Sequence, residues 1–301
     1  MKKYHLKHVD AFTTRPFTVN PAAVVLNAQC LTEDQMQAIA REMNLSETAF
    51  ILPSEKADLK IRWFSPTKEV LFCGHATVAS LHALAEEKML GMDQDGNFTF
   101  QVETLVDILE LEVCKDLDST EIVLQAPKVS LIEEKWDREQ LAEILRILPE
   151  EIDAELPLMR DETVDYILIP ITSLDVLKNI DYDYDGLSKL SEKRGVKGFA
   201  LMTMDTFEAE SDFHSRFFTP FYGVVEDPVT GSSQGPMAVY LIINDLVPME
   251  DNQAILKSEQ GDIMGRKGRI QLEVQRKHHG DYIVKLRSRA VTVLDGHLIL
   301  K

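Results

Sequence analysis

Cysteine is scarce in this 301-residue chain, with Cys30, Cys73 and Cys114 the only three. Their spacing matches neither a metal-ligand set nor a disulfide framework, and a sparse, odd count suits a reducing cytoplasm. Basic residues are few as well, 32 against 50 acidic ones, for a formal charge of −18. Nucleic acid calls for a basic stripe facing its phosphates, and none is visible, so that class of partner is set aside. Much of the acid sits in runs such as Glu150-Glu151 and Asp181 to Asp185, whose ordinary role is solubility. No apolar run approaches the ~18–20 residues that cross a bilayer. The opening stretch also lacks a basic region followed by an apolar signal core. These absences predict a soluble, cytoplasmic protein with no membrane partner.

What is present is an ordinary globular balance, 45% apolar and 27% charged, at a length that favours two domains. One pattern is written twice. Arg62-Trp63-Phe64-Ser65-Pro66 leads through a short loop to Gly74 and His75-Ala76-Thr77-Val78-Ala79-Ser80-Leu81. Arg216-Phe217-Phe218-Thr219-Pro220 leads through a longer loop to Gly231 and Ser232-Ser233-Gln234-Gly235-Pro236-Met237-Ala238. Upstream, a helical stretch Asp34 to Met43 precedes a strand Thr48 to Leu52, and Leu187 to Lys193 precedes Phe199 to Met204.

The segments after the two glycines, Ala76 to Ala85 and Met237 to Ile243, are small or apolar around nearly the whole helical circumference. A helix without a polar face is a buried one. The pattern therefore predicts an α+β chain of two pseudo-symmetric β-barrel-like domains, each wrapped around a central helix, with a cleft between them. The expected boundary separates residues 1–118 from 119–301, with Pro127 near the crossing. The last strand, 290–300, is free to return to either half.

Each predicted helix opens at a glycine, where free N–H groups and the positive end of the dipole bind anions without a basic side chain. Two such termini facing one cleft would hold a carboxylate. The plainer reading is that Gly74 and Gly231 merely allow tight strand-to-helix turns. Asp227, ahead of Pro228, is either a turn residue or a carboxylate at the cleft. Ser232 and Ser233 are first-turn residues or hydroxyl donors to a bound anion. His75 opens the first helix, where the dipole favours a neutral imidazole able to pass a proton. Glu47 stands where a helix ends and a buried strand begins, and the matching stretch Gly195 to Phe199 carries no acid. A lone acid suits a single acid/base, while a surface glutamate at a turn is the plainer reading.

Taken together the motifs resemble the phenazine-biosynthesis isomerase (PhzF-like) family, which has the diaminopimelate-epimerase-like fold. The matching pieces are Asp10-Ala11-Phe12 with Asn20-Pro21-Ala22-Ala23-Val24, Asn44-Leu45-Ser46-Glu47-Thr48, and Phe72-Cys73-Gly74-His75-Ala76-Thr77. They continue with Glu226-Asp227-Pro228-Val229-Thr230-Gly231-Ser232 and Glu259-Gln260-Gly261 with Gly265-Arg266. The resemblance implies a catalytic Glu47 assisted by His75 and Asp227. It also implies substrate contacts near Gly74, Gly231, Ser232 and Asn20. It implies a proton shift on a small, cyclic or unsaturated carboxylate without cofactor or metal, and a homodimer. In the best-known family reaction a dihydro-hydroxyanthranilate moves a proton between ring carbons. Closure of the domains would exclude water and raise the Glu47 pKa.

Val19 departs from the family's more frequent glycine, and Ser233 and Gln234 stand where smaller residues are common, with an expected effect on the pocket. Two other functions fit parts of the pattern. A two-thiol racemase would use Cys73 at a helix start, but Val229-Thr230 precedes Gly231, so the second thiol is missing. A small-carboxylate binding protein without turnover would use the same helix termini.

Overall fold

A computed structural model describes residues 1–300. The chain divides into two compact units, Met1–Gln125 joined by the stretch from Arg287 onward, and Ala126–Leu286. The expected boundary after residue 118 therefore moves to Gln125, because the strand Thr120–Gln125 hydrogen-bonds within the first unit. The last strand returns to the first unit, where it pairs with the chain's opening strand.

The first unit contains β1 (Lys2–Ala11), β2 (Asn20–Val25), α1 (Glu33–Met43), β3 (Glu47–Leu52), β4 (Leu59–Phe64) and β5 (Glu69–Val70). After α2 (Gly74–Glu86) come β6 (Gly96–Glu103), β7 (Ile108–Lys115) and β8 (Thr120–Gln125). The second unit runs β9 (Leu131–Glu133), α3 (Arg138–Leu145), β10 (Met159–Asp161), β11 (Tyr166–Pro170), α4 (Leu174–Asn179) and α5 (Tyr184–Arg194). It continues with β12 (Gly198–Thr203), β13 (Phe213–Thr219), β14 (Val224–Asp227), α6 (Gly231–Ile243), β15 (Gln253–Gln260) and β16 (Gly268–Arg276). The final strand β17 (Tyr282–Leu300) begins in the second unit and ends in the first.

The repeat in sequence is a repeat in hydrogen bonding. In the first unit β1 and β2 are antiparallel, β2 and β3 parallel, β3 and β4 antiparallel, β4 and β6 parallel, β6 and β7 antiparallel. In the second, β10 and β11 are antiparallel, β11 and β12 parallel, β12 and β13 antiparallel, β13 and β15 parallel, β15 and β16 antiparallel. In the first unit β7 pairs with β8, β8 with β17 and β17 with β1, which closes a ring.

Each central helix sits among these strands as its composition requires. All residues from Ala76 to Ala85 in α2 and from Ser233 to Ile242 in α6 are buried. Alanines at 76, 79, 83 and 85 let the surrounding backbone approach, while Leu81 and Leu84 each contribute about 1.5–3 kcal/mol of burial. α6 carries Pro236 as an interior residue, which removes the N–H that would bond to the Ser232 carbonyl one turn earlier. A second apolar layer covers the outside of the strands. In the first unit α1 packs Met36, Ile39 and Ala40 on Phe50 and Phe64. In the second, α3, α4 and α5 pack Leu141, Leu145, Leu177, Leu187 and Leu190 on Ile167, Ile169, Phe199 and Leu201. The helices α3 and α4 have no counterpart in the sequence reading, since each is about two turns long or less.

Helix caps set where the site residues fall. α1 starts at a reciprocal Thr32–Gln35 capping box and stops at Asn44, which adopts the left-handed conformation. That stop brings the chain into β3 with Glu47 as its first residue. α5 stops on left-handed Gly195 and delivers Gly198 to the same place in β12. No helix among the described residues is long and apolar enough to cross a membrane.

Candidate active site

The first unit gathers Glu47, His75, Cys73 and Ser46 where β3 and α2 begin. The His75 Nε2 lies 3.2 Å from Glu47 Oε2 and 3.1 Å from Ser46 Oγ. Its Nδ1 lies 3.4 Å from the Cys73 sulfur. The side chains of His75 and Glu47 keep 12% and 20% of their surface, enough for a small molecule to reach both.

Burial by itself pushes the Glu47 carboxyl up, but the hydrogen bond and charge of His75, with smaller help from Cys73 and Ser46, leave it below its ordinary value. Burial likewise works against charge on His75, yet Cys73 and Glu47 outweigh it and hold the imidazole well above its ordinary value. The Cys73 thiol is raised, chiefly by burial. His75 is thus raised rather than lowered, against the expectation from the helix dipole, and Glu47 is lowered because the hydrogen bond and charge of His75, 3.2 Å away, outweigh desolvation.

Gly74 meets no steric demand in this fold. A Cβ there would find only Phe72 Cε1, at 4.0 Å, and Gly74 is not among the residues with positive φ. The tight-turn reading fails for this glycine, and its bare backbone stays open to a ligand. Asn20 opens β2, buried at 5% exposure, on the strand that places Ala22 beside Glu47.

In the second unit β14 ends on Asp227, and the chain turns through Pro228 and buried Val229 to Thr230, which precedes α6. The Thr230 hydroxyl donates to Asp227 Oδ2 at 2.6 Å instead of capping the helix. Gln260, at the end of β15, bonds to the same loop through both ends of its amide. Gly231 and Ser232 are partly exposed at the helix start, and the Tyr166 hydroxyl lies 3.2 Å from Ser232 Oγ. Burial pushes the Tyr166 phenol up to about 12, so it stays neutral. Ser233 and Gln234, expected to alter the pocket, are both fully buried and bond to Thr230, Gln260 and Ser215. Val19 is buried too, at 1% exposure.

The loops ahead of the two helices are braced alike. Arg62 grips Glu69 in two hydrogen bonds of 2.6 and 2.7 Å and lies over Phe64. Arg216 grips Glu226 in two of 2.9 and 2.8 Å and lies over Phe218. Such forked pairs fix geometry as well as charge, and Glu226 is the residue before Asp227. Sequence reading missed Ser46, Thr230, Gln260 and Tyr166 as working parts. Only the motifs containing Ser46, Thr230 and Gln260 hinted at them.

Among the described residues, three groups of side chains bring metal-ligand atoms within 4.8 Å of one another: Glu47–Cys73–His75, His5–Glu87–Asp295 and His214–Glu259–Asp262. In the first, His75 Nε2 lies 3.2 Å from Glu47 Oε2 and 3.8 Å from the Cys73 sulfur, so the three donors converge, and the carboxylate and imidazole already face each other as a pair. The other two already hold a cation. Lys7 reaches Glu87 and Asp295, and Arg269 reaches Glu259 and Asp262.

Comparison with known proteins gives the family and the fold. The family model described as phenazine biosynthesis-like protein matches residues 9–296. An uncharacterized isomerase of Clostridium acetobutylicum is 36% identical over 309 residues, covering 100% of this chain and 99% of its own. The crystal structure of a PhzF-family phenazine biosynthesis protein from Bacillus anthracis superposes with a TM-score of 0.88 at 28% identity, covering 100% of both chains. A probable proline racemase from Agrobacterium radiobacter, at 11% identity and a TM-score of 0.62, covers 99% of this chain and 93% of its own and shares the fold.

Proposed function

Because the chain belongs to the phenazine biosynthesis-like protein family and is an isomerase, we propose that it shifts a proton on a small carboxylate with Glu47 as the general acid/base. The carboxylate is cyclic or unsaturated in this reading, so that the carbanion left behind is delocalised. No cofactor or metal takes part. The observation that carries it is the Glu47–His75 pair, 3.2 Å apart and reachable from solvent where α2 begins.

An ionised Glu47 is ready to accept a proton at neutral pH, though its lowered value makes it a weaker base than a desolvated carboxylate. His75 offsets this. When Glu47 takes the proton, the attraction that keeps His75 charged disappears, and the imidazolium becomes a readier acid. Asp227 assists as a second carboxylate. The proposed carboxylate contacts are N–H groups near Gly74 in the first unit and near Gly231 and Ser232 in the second, with Asn20 at the start of β2, the strand that pairs with the one Glu47 opens. A thiol-based racemase is disfavoured, since burial keeps Cys73 protonated and the residue before Gly231 is Thr230. We place the enzyme in the cytoplasm, consistent with three free cysteines, and as a homodimer, which the family resemblance implies.

The test is solvent exchange. Incubation in D2O with a panel of cyclic and unsaturated carboxylates, a dihydro-hydroxyanthranilate among them, is expected to give deuterium uptake into one class, read by proton NMR. Uptake that persists at the wild-type rate in Glu47→Gln would overturn the assignment of the base.

A further inference from the structure

Gln260 uses its whole amide on one loop. Its Oε1 accepts from the Thr230 N–H at 3.0 Å and from Gln234 Nε2 at 2.9 Å. Its Nε2 donates to the Asp227 carbonyl at 2.8 Å and to Thr230 Oγ1 at 3.2 Å. A backbone N–H can only donate and a backbone carbonyl can only accept, so the amide cannot be turned over. With Gln260 donating to its oxygen, the Thr230 hydroxyl is left to place its one hydrogen on Asp227 Oδ2, 2.6 Å away.

The surroundings keep this chain of bonds rigid. Thr230 is 7% exposed and Gln260 2%. Gly261, at φ +85°, has no room for a Cβ, which would lie 2.7 Å from the Pro228 carbonyl and 2.1 Å from that of Arg266. The end of β15 is thus pressed against the Asp227–Thr230 loop. Glu259, one residue earlier, is anchored by the N–H groups of Phe207 and Glu208 and by His214.

We propose that Gln260 and Thr230 form a one-way hydrogen-bond relay that orients the Asp227 carboxylate at the start of α6. Both are then positioning residues for the reaction, and neither touches the substrate. The inference rests on Asp227 being a catalytic group. The relay itself is a property of the resting protein and can be read without a substrate.

The measurement is a pH titration of carboxyl-labelled aspartate by 13C NMR in the full chain, with the Asp227 signal identified by its absence in Asp227→Asn. Thr230→Val keeps shape but removes the hydroxyl. It is expected to raise the Asp227 midpoint by about one pH unit, since a donor to the charged form is lost. Thr230→Ser restores the hydroxyl and is expected to restore the midpoint. Gln260→Glu removes the donor and frees the Thr230 hydroxyl to turn toward the new carboxylate, so its midpoint also rises. A midpoint in Thr230→Val equal to that of wild type overturns the relay. A crystal structure of Thr230→Val supplies a second readout, and an Asp227 carboxylate unmoved and well ordered there overturns it too. Asp227→Asn in the deuterium-exchange assay judges the catalytic role separately. Unchanged exchange there sinks that role while leaving the titration result standing.

Discussion

The first residue of β3 is Glu47 and the first residue of β12 is Gly198, and strand register makes them equivalent. Thr48 lies opposite Phe64, and Phe199 lies opposite Phe218. In the first half that position carries the acid which pairs with His75. In the second it has no space for any side chain. A Cβ on Gly198 would come within 2.3 Å of Phe217 Cζ and 2.9 Å of Tyr166 Cδ1. The two rings, 4.8 Å apart, occupy the room that Glu47 uses. Two copies of one framework have thus diverged, one toward a titrating pair and the other toward a carboxylate fixed by hydrogen bonds. The difference teaches that asymmetry was introduced at the entrances to the helices, while the strand pairing behind them stayed alike.

The comparison breaks first at its acid. Glu47→Gln is expected to lower proton exchange by ~10²–10⁴, the usual loss of a general base, with the melting temperature and circular dichroism unchanged. Turnover near wild type would remove the distinction between the halves. A pair of glycine variants sharpens the steric half of the contrast. Gly198→Ala should cost ~1–3 kcal/mol in urea unfolding, because a buried ring must move. Gly74→Ala should leave stability unchanged or raise it by up to about 1 kcal/mol, while weakening the carboxylate's effect on melting temperature. Equal destabilisation by both would show that Gly74 is structural after all.

A subtler test concerns charge. Glu47 is held below the ordinary carboxyl value and His75 well above the ordinary imidazole value. The pair is therefore ionised between those limits. Its stabilisation fades as pH falls through the Glu47 value and as pH rises through the His75 value. His75→Asn should move the acid limb of the exchange-rate profile to higher pH, and an unmoved limb would show that His75 does not set the charge of Glu47. The smallest effect is expected from Cys73→Ser, with activity kept within about fivefold, the factor worth about 1 kcal/mol. A collapse of exchange in that variant, with Glu47→Gln still active, would transfer the chemistry to the thiol.

The sequence by itself determined the repeat and the two buried helices beginning at Gly74 and Gly231, while the family resemblance singled out Glu47, His75 and Asp227. These are local properties, since a strand, a proline, a glycine and an apolar helix recur in order, and burial of an all-apolar helix follows from composition. Whether a side chain is charged, and what holds it, depends on atoms distant along the chain, and the tertiary structure decided that. His75 is held well above the ordinary imidazole value because Cys73 and, from the start of β3, Glu47 face its ring and outweigh its burial. Asp227 is gripped through Thr230 by Gln260, whose strand follows α6 in the chain and packs back on the loop before it. Tyr166 reaches Ser232 only because β11 and α6 meet in the folded unit. The return of β17 to β1 likewise depended on which strand edge was left unpaired, and no stretch of ten or twenty residues contains that information.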